Sequence, residues 1–376
     1  MNECQYVFVD STEGLERAAR ALSSCPRLYL DTEFESGRGP TRLCLLQISS
    51  GTEIFLVDTL KLDRLDVLSQ ALGRSEVEWV LHAGLQDLEL LERRLHVRAP
   101  ERLFDTQVGY ALVSAENNVS LAYLVYELLG VRSDKAHQTD DWLGRPLPES
   151  QLRYAASDVQ YLPAVTDILT QRAEAKQRLP LVFEASHEAL EPKREPPPPL
   201  SIESFRNAWQ LGPRSQAGLR FLIGWYNALS FDDKRAAPDT KTLLALAGRM
   251  PESTDALGRI KGVSPGLVRQ HGKRIVQGLS DAALQTKSHE FVPIDPVPYA
   301  TFAEIRCEAW LGLLRAEVCA SLDVSPEHVM PARVLRELKA KLQGSRPLRL
   351  SDALSGYRKR LLGAAFDEFC ERQPPP

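Results

Sequence analysis

Arg27-Leu-Tyr-Leu-Asp31-Thr-Glu33-Phe34 reads as an apolar strand that runs into acids at its end. Successive side chains of a strand point to opposite faces, so Asp31 and Glu33 share a face and lie within reach of one cation. Two carboxylates aimed together repel unless a cation or a proton sits between them. The plainer alternative is a solvated strand end entering a loop. Outward from this stretch, Leu43–Ser49 and Ile54–Asp58 carry further strand signals, with Ser50-Gly51-Thr52 as a hairpin connection. Glu78–His82 is another strand. It passes through Ala83-Gly84 into Leu85, Leu88, Leu91 and Leu95, the spacing of one helical face. Leu121–Leu129 reads as a helix closed by Gly130. Pro148–Ala175 opens with Pro148 and Glu149, which predicts a single long helix. A hairpin-built sheet followed by strand–helix units predicts an α/β domain with a mixed sheet flanked by helices.

Two more acids fall where such elements would aim them inward. Asp87, in His82-Ala-Gly-Leu-Gln-Asp87, occupies the first turn of a helix that follows a buried strand. Charge–dipole complementarity at a helix N-terminus accounts for it equally well. Tyr154-Ala-Ala-Ser-Asp158 places a phenol and a carboxylate four residues apart on one helical face, either as part of a site or as a surface pair. Together, acids from a strand, a helix start and a later helix converge only if a cation offsets their repulsion. Hard ions such as Mg²⁺ or Mn²⁺ prefer oxygen ligands, and two of them ~3.5–4 Å apart are a known solution for in-line phosphoryl displacement.

The bulk properties fit a globular protein. No apolar run approaches the ~20 residues that span a bilayer, and Met1-Asn2-Glu3-Cys4 lacks the basic start of a signal peptide. A cytoplasmic location without membrane association is the expectation. The six cysteines form no CxxC pair and no zinc-ligand spacing, so they read as reduced thiols. No GxxxxGK[ST] loop is present, which excludes an ATP-driven helicase and a nucleotide cofactor of that type. The net charge of −4 hides an asymmetry: residues 1–200 carry −10, residues 201–290 carry +5 and residues 291–376 carry +1. An acidic front beside a mildly basic back suits a cation-binding part attached to a polyanion-binding part.

Glu191-Pro-Lys-Arg-Glu-Pro-Pro-Pro-Pro199 cannot continue a helix and favours a polyproline II spacer, so residues 191–200 read as a linker. Prolines between Pro293 and Pro298 mark a softer break. The expected parts are 1–190, 201–285 and 298–376, the latter two being small all-α helical bundles.

The motifs resemble those of the DEDD-type 3′-5′ exonucleases, in the tyrosine-bearing subgroup. The resemblance rests on Asp31-Thr-Glu33-Phe34, the His82–Asp87 segment and Tyr154-Ala-Ala-Ser-Asp158. It extends to Phe104-Asp-Thr-Gln107, Thr139-Asp-Asp-Trp142, Arg145-Pro-Leu147 and Val159–Leu162. Over its whole length the chain resembles the ribonuclease D family. That resemblance implies a ribonuclease-H-like exonuclease domain in which Asp31, Glu33, Asp87 and Asp158 hold two divalent cations, Mg²⁺ or Mn²⁺. Asp31 would be shared between them, and Tyr154 would orient the attacking water. Phe34 would stack on the terminal base or sit in the core, and Gln47, His82, Gln86 and Asp105 are candidate supporting or substrate contacts. Residues 201–285 resemble an HRDC domain, and 298–376, with Tyr357-Arg-Lys-Arg360, a divergent second copy. Ile260-Lys-Gly-Val-Ser-Pro-Gly266 would offer amides to a phosphate beside Arg269, Lys273 and Arg274, or form a tight turn. The implied substrates are RNA 3′ ends, such as those of tRNA precursors and small structured RNAs, handled by a monomer. A DNA 3′-5′ exonuclease of the same superfamily and a non-catalytic nucleic-acid adaptor are the competing readings.

Overall fold

A computed structural model describes residues 5–36, 41–132, 140–190, 197, 199–285, 294–296, 301–343 and 349–376. The linker at 191–200 and the break at 293–298 fall largely outside these residues, as do Cys4 and Thr139. The chain divides into two compact units, one formed by residues 1–192 with 306–376 and the other by residues 193–305.

In chain order the first unit begins with β1 (Val7–Val9), α1 (Thr12–Leu22), β2 (Arg27–Glu35), β3 (Arg42–Ser49) and β4 (Ile54–Asp58). Then come α2 (Asp66–Leu72), β5 (Glu78–Leu81), α3 (Leu85–Leu95), β6 (Arg102–Asp105) and α4 (Thr106–Ala111). The helices α5 (Leu121–Leu129), α6 (Glu149–Gln160), α7 (Leu162–Ala175) and α8 (Leu179–Leu190) complete the N-terminal portion. The strands form one six-stranded sheet in the order β1-β4-β3-β2-β5-β6. β2, β3 and β4 are antiparallel neighbours, whereas β1 joins β4, and β5 and β6 extend from β2, in parallel. The mixed sheet flanked by helices is therefore as expected.

Alternation along β2 decides what each face meets. Leu28 and Leu30 join Trp79, Leu90 and Leu91 in the apolar layer beneath α1, α2 and α3. Tyr29 faces the opposite way, into the layer beneath α5, α6 and α7 with Leu45, Ala155, Ala156 and Val159. The register Asp31↔Gln47 and Glu33↔Leu45 carries that second face to the strand's end. Local signals set the helix limits. Ser11 accepts a hydrogen bond from the Gly14 amide at the start of α1, and Gly130 closes α5 in the left-handed region at φ 69°. The single helix expected over Pro148–Ala175 is instead α6 and α7, broken at Tyr161. Pro163 supplies the reason: it lacks an N–H, and its ring obstructs the carbonyl four residues back, so it starts a helix rather than continuing one.

The second unit holds α9 (Pro213–Asn227), α10 (Phe231–Ala236), α11 (Thr240–Arg249), α12 (Thr254–Gly258) and α13 (Pro265–Gln285). Leu219, Leu222, Trp225, Leu243, Leu246, Leu257 and Ile275 are its buried centre. Ahead of α9 the bundle opens with two single 3₁₀ turns, Ile202–Ser204 and Ala208–Gln210.

The C-terminal helices α14 (Phe302–Leu322), α15 (Pro326–Val329), α16 (Ala332–Gln343) and α17 (Gly356–Arg372) form a bundle, but not the free-standing one anticipated from residue 298. Trp310, Leu314, Val318, Tyr357 and Phe366 share one apolar cluster with Val113, Val182 and Ala185 of the N-terminal portion. Buried arginines hold the two together. Arg178 donates to the carbonyls of Leu112 at 2.8 Å and Leu322 at 2.5 Å, and Arg358 donates to both Glu188 oxygens at 2.6 Å and to the Val329 carbonyl at 2.8 Å. A neutral surface would have been legible as an end to the domain; a fixed cation that caps another segment's carbonyls is not visible in either segment alone. Arg358→Ala is expected to lower unfolding stability by ~2 kcal/mol, because it removes hydrogen bonds made by a charged group. Denaturation in urea checks this, and an unchanged midpoint would mean that the bundle is held by its apolar contacts alone.

Candidate active site

The end of β2 is where the chemistry gathers. Asp31 and Glu33 leave the strand on the face covered by α6, and Asp158 points down from that helix. Oxygen atoms of Asp31, Glu33 and Asp158 all lie within 4.8 Å of one another. The donor set is purely carboxylate, which fits a hard divalent cation and not a thiolate- or imidazole-loving one. Gln47, fully buried and opposite Asp31 in register, donates through its amide nitrogen to Glu33 at 3.3 Å.

Asp87 stands apart from these three. Its carboxylate accepts a short hydrogen bond from the Thr32 hydroxyl, on the opposite face of β2. Alternation explains this: the two acids point toward α6, so the threonine between them points toward α3. The turn that delivers Asp87 needs Gly84, where a Cβ would come within 2.7 Å of the Leu81 side chain. Among the described residues Asp87 is buried, and its charge still acts on Asp31 and Glu33.

Electrostatics follows from this crowding. Burial, then the charges of Asp87, Asp158 and Glu33, hold the Asp31 carboxyl well above the ordinary carboxylate range. Burial and the charges of Asp158 and Asp87 push Glu33 up to about 9. Burial raises Asp158 to about 7 against the lowering effect of a hydrogen bond from Tyr154, and it raises Asp87 to about 6 despite the Thr32 bond. Tyr154 is also shifted upward, by burial and then by Asp158, Glu33 and Asp31, so its phenol stays protonated at neutral pH. It can orient a neighbour as a hydrogen-bond donor and cannot act as an anionic base.

The segment before α6 supports this wall. Arg145 clamps the fully buried Asp58 with two bonds of 2.7 and 2.9 Å, and also donates to the carbonyls of Cys44 at 3.0 Å and Trp142 at 2.8 Å. So held, Trp142 packs beside Tyr154 with ring centroids 6.4 Å apart, and its amide donates to Glu35 at 3.4 Å. Asp140 accepts from Gln151 at 3.0 Å and adds its charge to the field at Glu33. Thr32 and Asp140 lie within motifs quoted from the sequence, Asp31-Thr-Glu33 and Thr139-Asp-Asp-Trp142, without a role having been given to either, and Glu35 and Asp58 carried no signal of a part in the site.

Other candidates fall elsewhere. Both ring nitrogens of His82 are engaged, by Thr106 at 2.9 Å and the Val119 carbonyl at 3.0 Å, and burial lowers its pKa, so it braces the fold as a neutral ring. Asp105 caps α4 and accepts from the Gly84 amide at 3.1 Å. Phe34 packs partly against the layer beneath α3, and Gln86 is half-buried in the first turn of that helix. In the second unit, Arg269, Lys273 and Arg274 are exposed on α13. Gly262 makes a turn at φ 94°, and Ser264 accepts from the Leu267 amide at the start of that helix.

Comparison with known proteins gives the same outline. A sequence model described as 3′-5′ exonuclease matches residues 6–174, and one described as HRDC domain matches residues 238–279. The chain is 30% identical over 372 residues to ribonuclease D of Pseudomonas paraeruginosa, covering 97% of this chain and 96% of that protein. It is 32% identical to ribonuclease D of Gluconacetobacter diazotrophicus, covering 95% and 91%. The crystal structure of Escherichia coli RNase D, described as an exoribonuclease involved in structured RNA processing, aligns with a TM-score of 0.69 at 27% identity, over 98% of this chain and all of that one.

The raised carboxyls make stability depend on pH. A carboxyl whose folded pKa lies above its unfolded value of ~4 stabilises fully below that value and loses its contribution as pH rises through the folded pKa. With folded values of about 6, 7 and 9 at Asp87, Asp158 and Glu33, EDTA-treated protein is expected to melt progressively lower between pH 5 and pH 9. Asp158→Asn should flatten that fall, and saturating Mn²⁺ should reverse it. A melting temperature independent of pH would show that the acids are not packed together.

Proposed function

The chain belongs to the ribonuclease D family, and on that premise we propose that this metal-dependent 3′-5′ exoribonuclease uses a two-metal-ion site to release nucleoside 5′-monophosphates from RNA 3′ ends. The observation that carries the reading is the convergence of Asp31, Glu33 and Asp158 within 4.8 Å, with the protonated Tyr154 against Asp158. Asp31, Glu33 and Asp158 would hold the cations, Mg²⁺ or Mn²⁺, with Asp87 adding charge from the Thr32 side. When bound, such ions activate water as Lewis acids and neutralise charge on the leaving oxygen.

The chain's own part is positioning. Tyr154, packed by Trp142 and donating its one O–H to Asp158, leaves its oxygen lone pairs to accept from the incoming water and so orient it. Water adds to phosphorus, the bond to the 3′ oxygen of the upstream nucleotide breaks, and the released nucleotide keeps its 5′-phosphate. Phe34, half-buried at the end of β2, supplies an aromatic ring on which the terminal base stacks. Gln47, His82 and Gln86 support this wall from within the fold. Lys273 and Arg274 give α13 of the HRDC-containing unit a cationic face for RNA. We assign the enzyme to the cytoplasm as a monomer acting on tRNA precursors and other small structured RNAs.

Single-stranded RNA labelled at its 5′ end should shorten one nucleotide at a time with Mg²⁺ or Mn²⁺ and persist in EDTA. Asp158→Asn should abolish the ladder, and Tyr154→Phe should slow it by about 10²-fold, the lower range for a lost proton-handling group. Faster shortening of the equivalent DNA would reassign the substrate, and retained RNA binding without cleavage under any metal would establish an adaptor.

A further inference from the structure

Residues 1–200 carry a net −10, and that field repels a polyanion as it approaches the acids. Single-stranded RNA offers a second handle, the faces of its bases. On the side of the sheet that bears Asp31 and Glu33, α6 lies over β2, β3 and β4, and α5 begins on the other flank, beside β5. Alternation along β5 puts Val80 in the layer beneath α5, α6 and α7, and Trp79 and Leu81 in the opposite one, so His82 emerges on the side of Asp31. The parallel register Tyr29↔Val80 brings the two strand ends alongside each other. His82 and Gln107 both donate to the Val119 carbonyl, at 3.0 and 2.9 Å, and so pin the residue before the Ser120 cap of α5 to the floor of the site.

From that fixed start α5 turns two tyrosines outward. Leu124 and Val125 are buried, whereas Tyr123 is 38% and Tyr126 49% exposed, three residues apart on one face. Aromatic rings left in water forgo the gain of burial until a partner covers them. Each ring is held rather than loose. The Tyr123 hydroxyl donates to Glu116, 2.8 and 2.9 Å from its two oxygens, and the buried Tyr110 donates to the same carboxylate at 2.7 Å. The Arg132 guanidinium stands 5.8 Å from the centroid of the Tyr126 ring. Glu116 and Glu127 are exposed, and their charge acts at Tyr123, which disfavours a phosphate and leaves the rings as what this face offers. One strand spacing of ~4.8 Å, the 3.0 Å bond to Val119 and a helical turn of ~5.4 Å put Tyr123 on the order of 15 Å from Asp31, the length of about four stacked nucleotides.

We propose that Tyr123 and Tyr126 are a stacking platform for bases of the single-stranded RNA upstream of the cleaved bond. The inference rests on the exoribonuclease reading above and deepens it, because it makes affinity depend on bases several nucleotides from the 3′ end and not on salt. A dinucleotide ends before the platform, whereas a decamer reaches it.

The test compares the parent protein with Tyr123→Leu/Tyr126→Leu and with Tyr123→Phe/Tyr126→Phe, all in an Asp158→Asn background, using decamer RNAs that carry 2-aminopurine at single positions. Fluorescence of a 2-aminopurine about four or five nucleotides from the 3′ end should be quenched by the parent and by the phenylalanine variant, and stay bright with the leucine variant. The leucine variant should bind the decamer about tenfold more weakly, the low end for one lost stacking contact. The salt dependence of its binding should be unchanged, because no phosphate contact is removed. An abasic residue at the same positions should weaken binding by the parent to the same degree, a measurement that needs no variant. Equal quenching and affinity in all of these proteins overturn the proposal while leaving the exoribonuclease reading intact. A salt slope that falls with the affinity also overturns it, since the lost contact is then ionic. If decamer binding is unaffected while the leucine variant changes its oligomeric state, the face is a protein contact and the RNA assignment fails. A wild type that binds the decamer but shortens no RNA defeats the exoribonuclease reading, and the quenching then still decides the platform.

Discussion

Mutual repulsion among buried carboxylates is the constraint that the rest of this structure must accommodate. Asp31, Glu33 and Asp158 share a space less than 5 Å wide, with Asp87 close behind; burial holds each above its ordinary pKa, and at Asp31 and Glu33 the neighbouring carboxylate charges add to it. Nothing in that group favours folding when it is ionised. The elements that carry the acids must therefore be secured elsewhere. β2 is secured by pairing on both edges and by an apolar layer on each face, and α6 by Leu152, Ala155, Ala156 and Val159 beneath it. The small alanines bring the helix close to the sheet, and the stiffness of both elements keeps the acids from relaxing apart.

A second layer of fixed charge makes that wall rigid. Arg145 spends its donors on Asp58 and on three backbone carbonyls, so the segment before α6 is tied to β3 and β4. The consequence reaches Tyr154 through Trp142. A phenol set among carboxylates remains protonated, and a protonated phenol is useful only where its direction is fixed. The neutral His82 and the capping Asp105 do the same for the turn that carries Asp87, since Asp105 receives the Gly84 amide that opens it.

The C-terminal bundle belongs to this framework more closely than its position in the chain suggests. α8 is the shared element. Ser186 accepts a hydrogen bond from the Asp105 amide at 3.0 Å, and two residues on, about half-way round the helix, Glu188 receives Arg358 and Arg333 from the bundle. One helix thus touches the strand behind the site on one side and the C-terminal helices on the other. The HRDC-containing unit has its own separate apolar centre, as a module of repeated use should.

Much of the site was legible because its signals are local. Alternation set Asp31 and Glu33 on one face, a four-residue interval set Tyr154 above Asp158, and a strand running into Gly84 and a leucine periodicity set Asp87 in a first turn. These depend only on backbone geometry over a few residues, which any sequence displays. Short elements were not legible. β1 and β6 have too few residues to show a period, and the break at Tyr161 lies within a continuous apolar pattern that only Pro163 interrupts. The pairings that only the tertiary structure decided join distant positions: Thr32 with Asp87, Asp58 with Arg145, Arg178 with the end of α14, and Glu188 with Arg358. Each is a charge or hydroxyl that looks like ordinary surface polarity in its own segment. Its partner is chosen by which faces meet when the sheet and helices close, and that choice is made by the packing of the whole apolar interior rather than by any local stretch of chain.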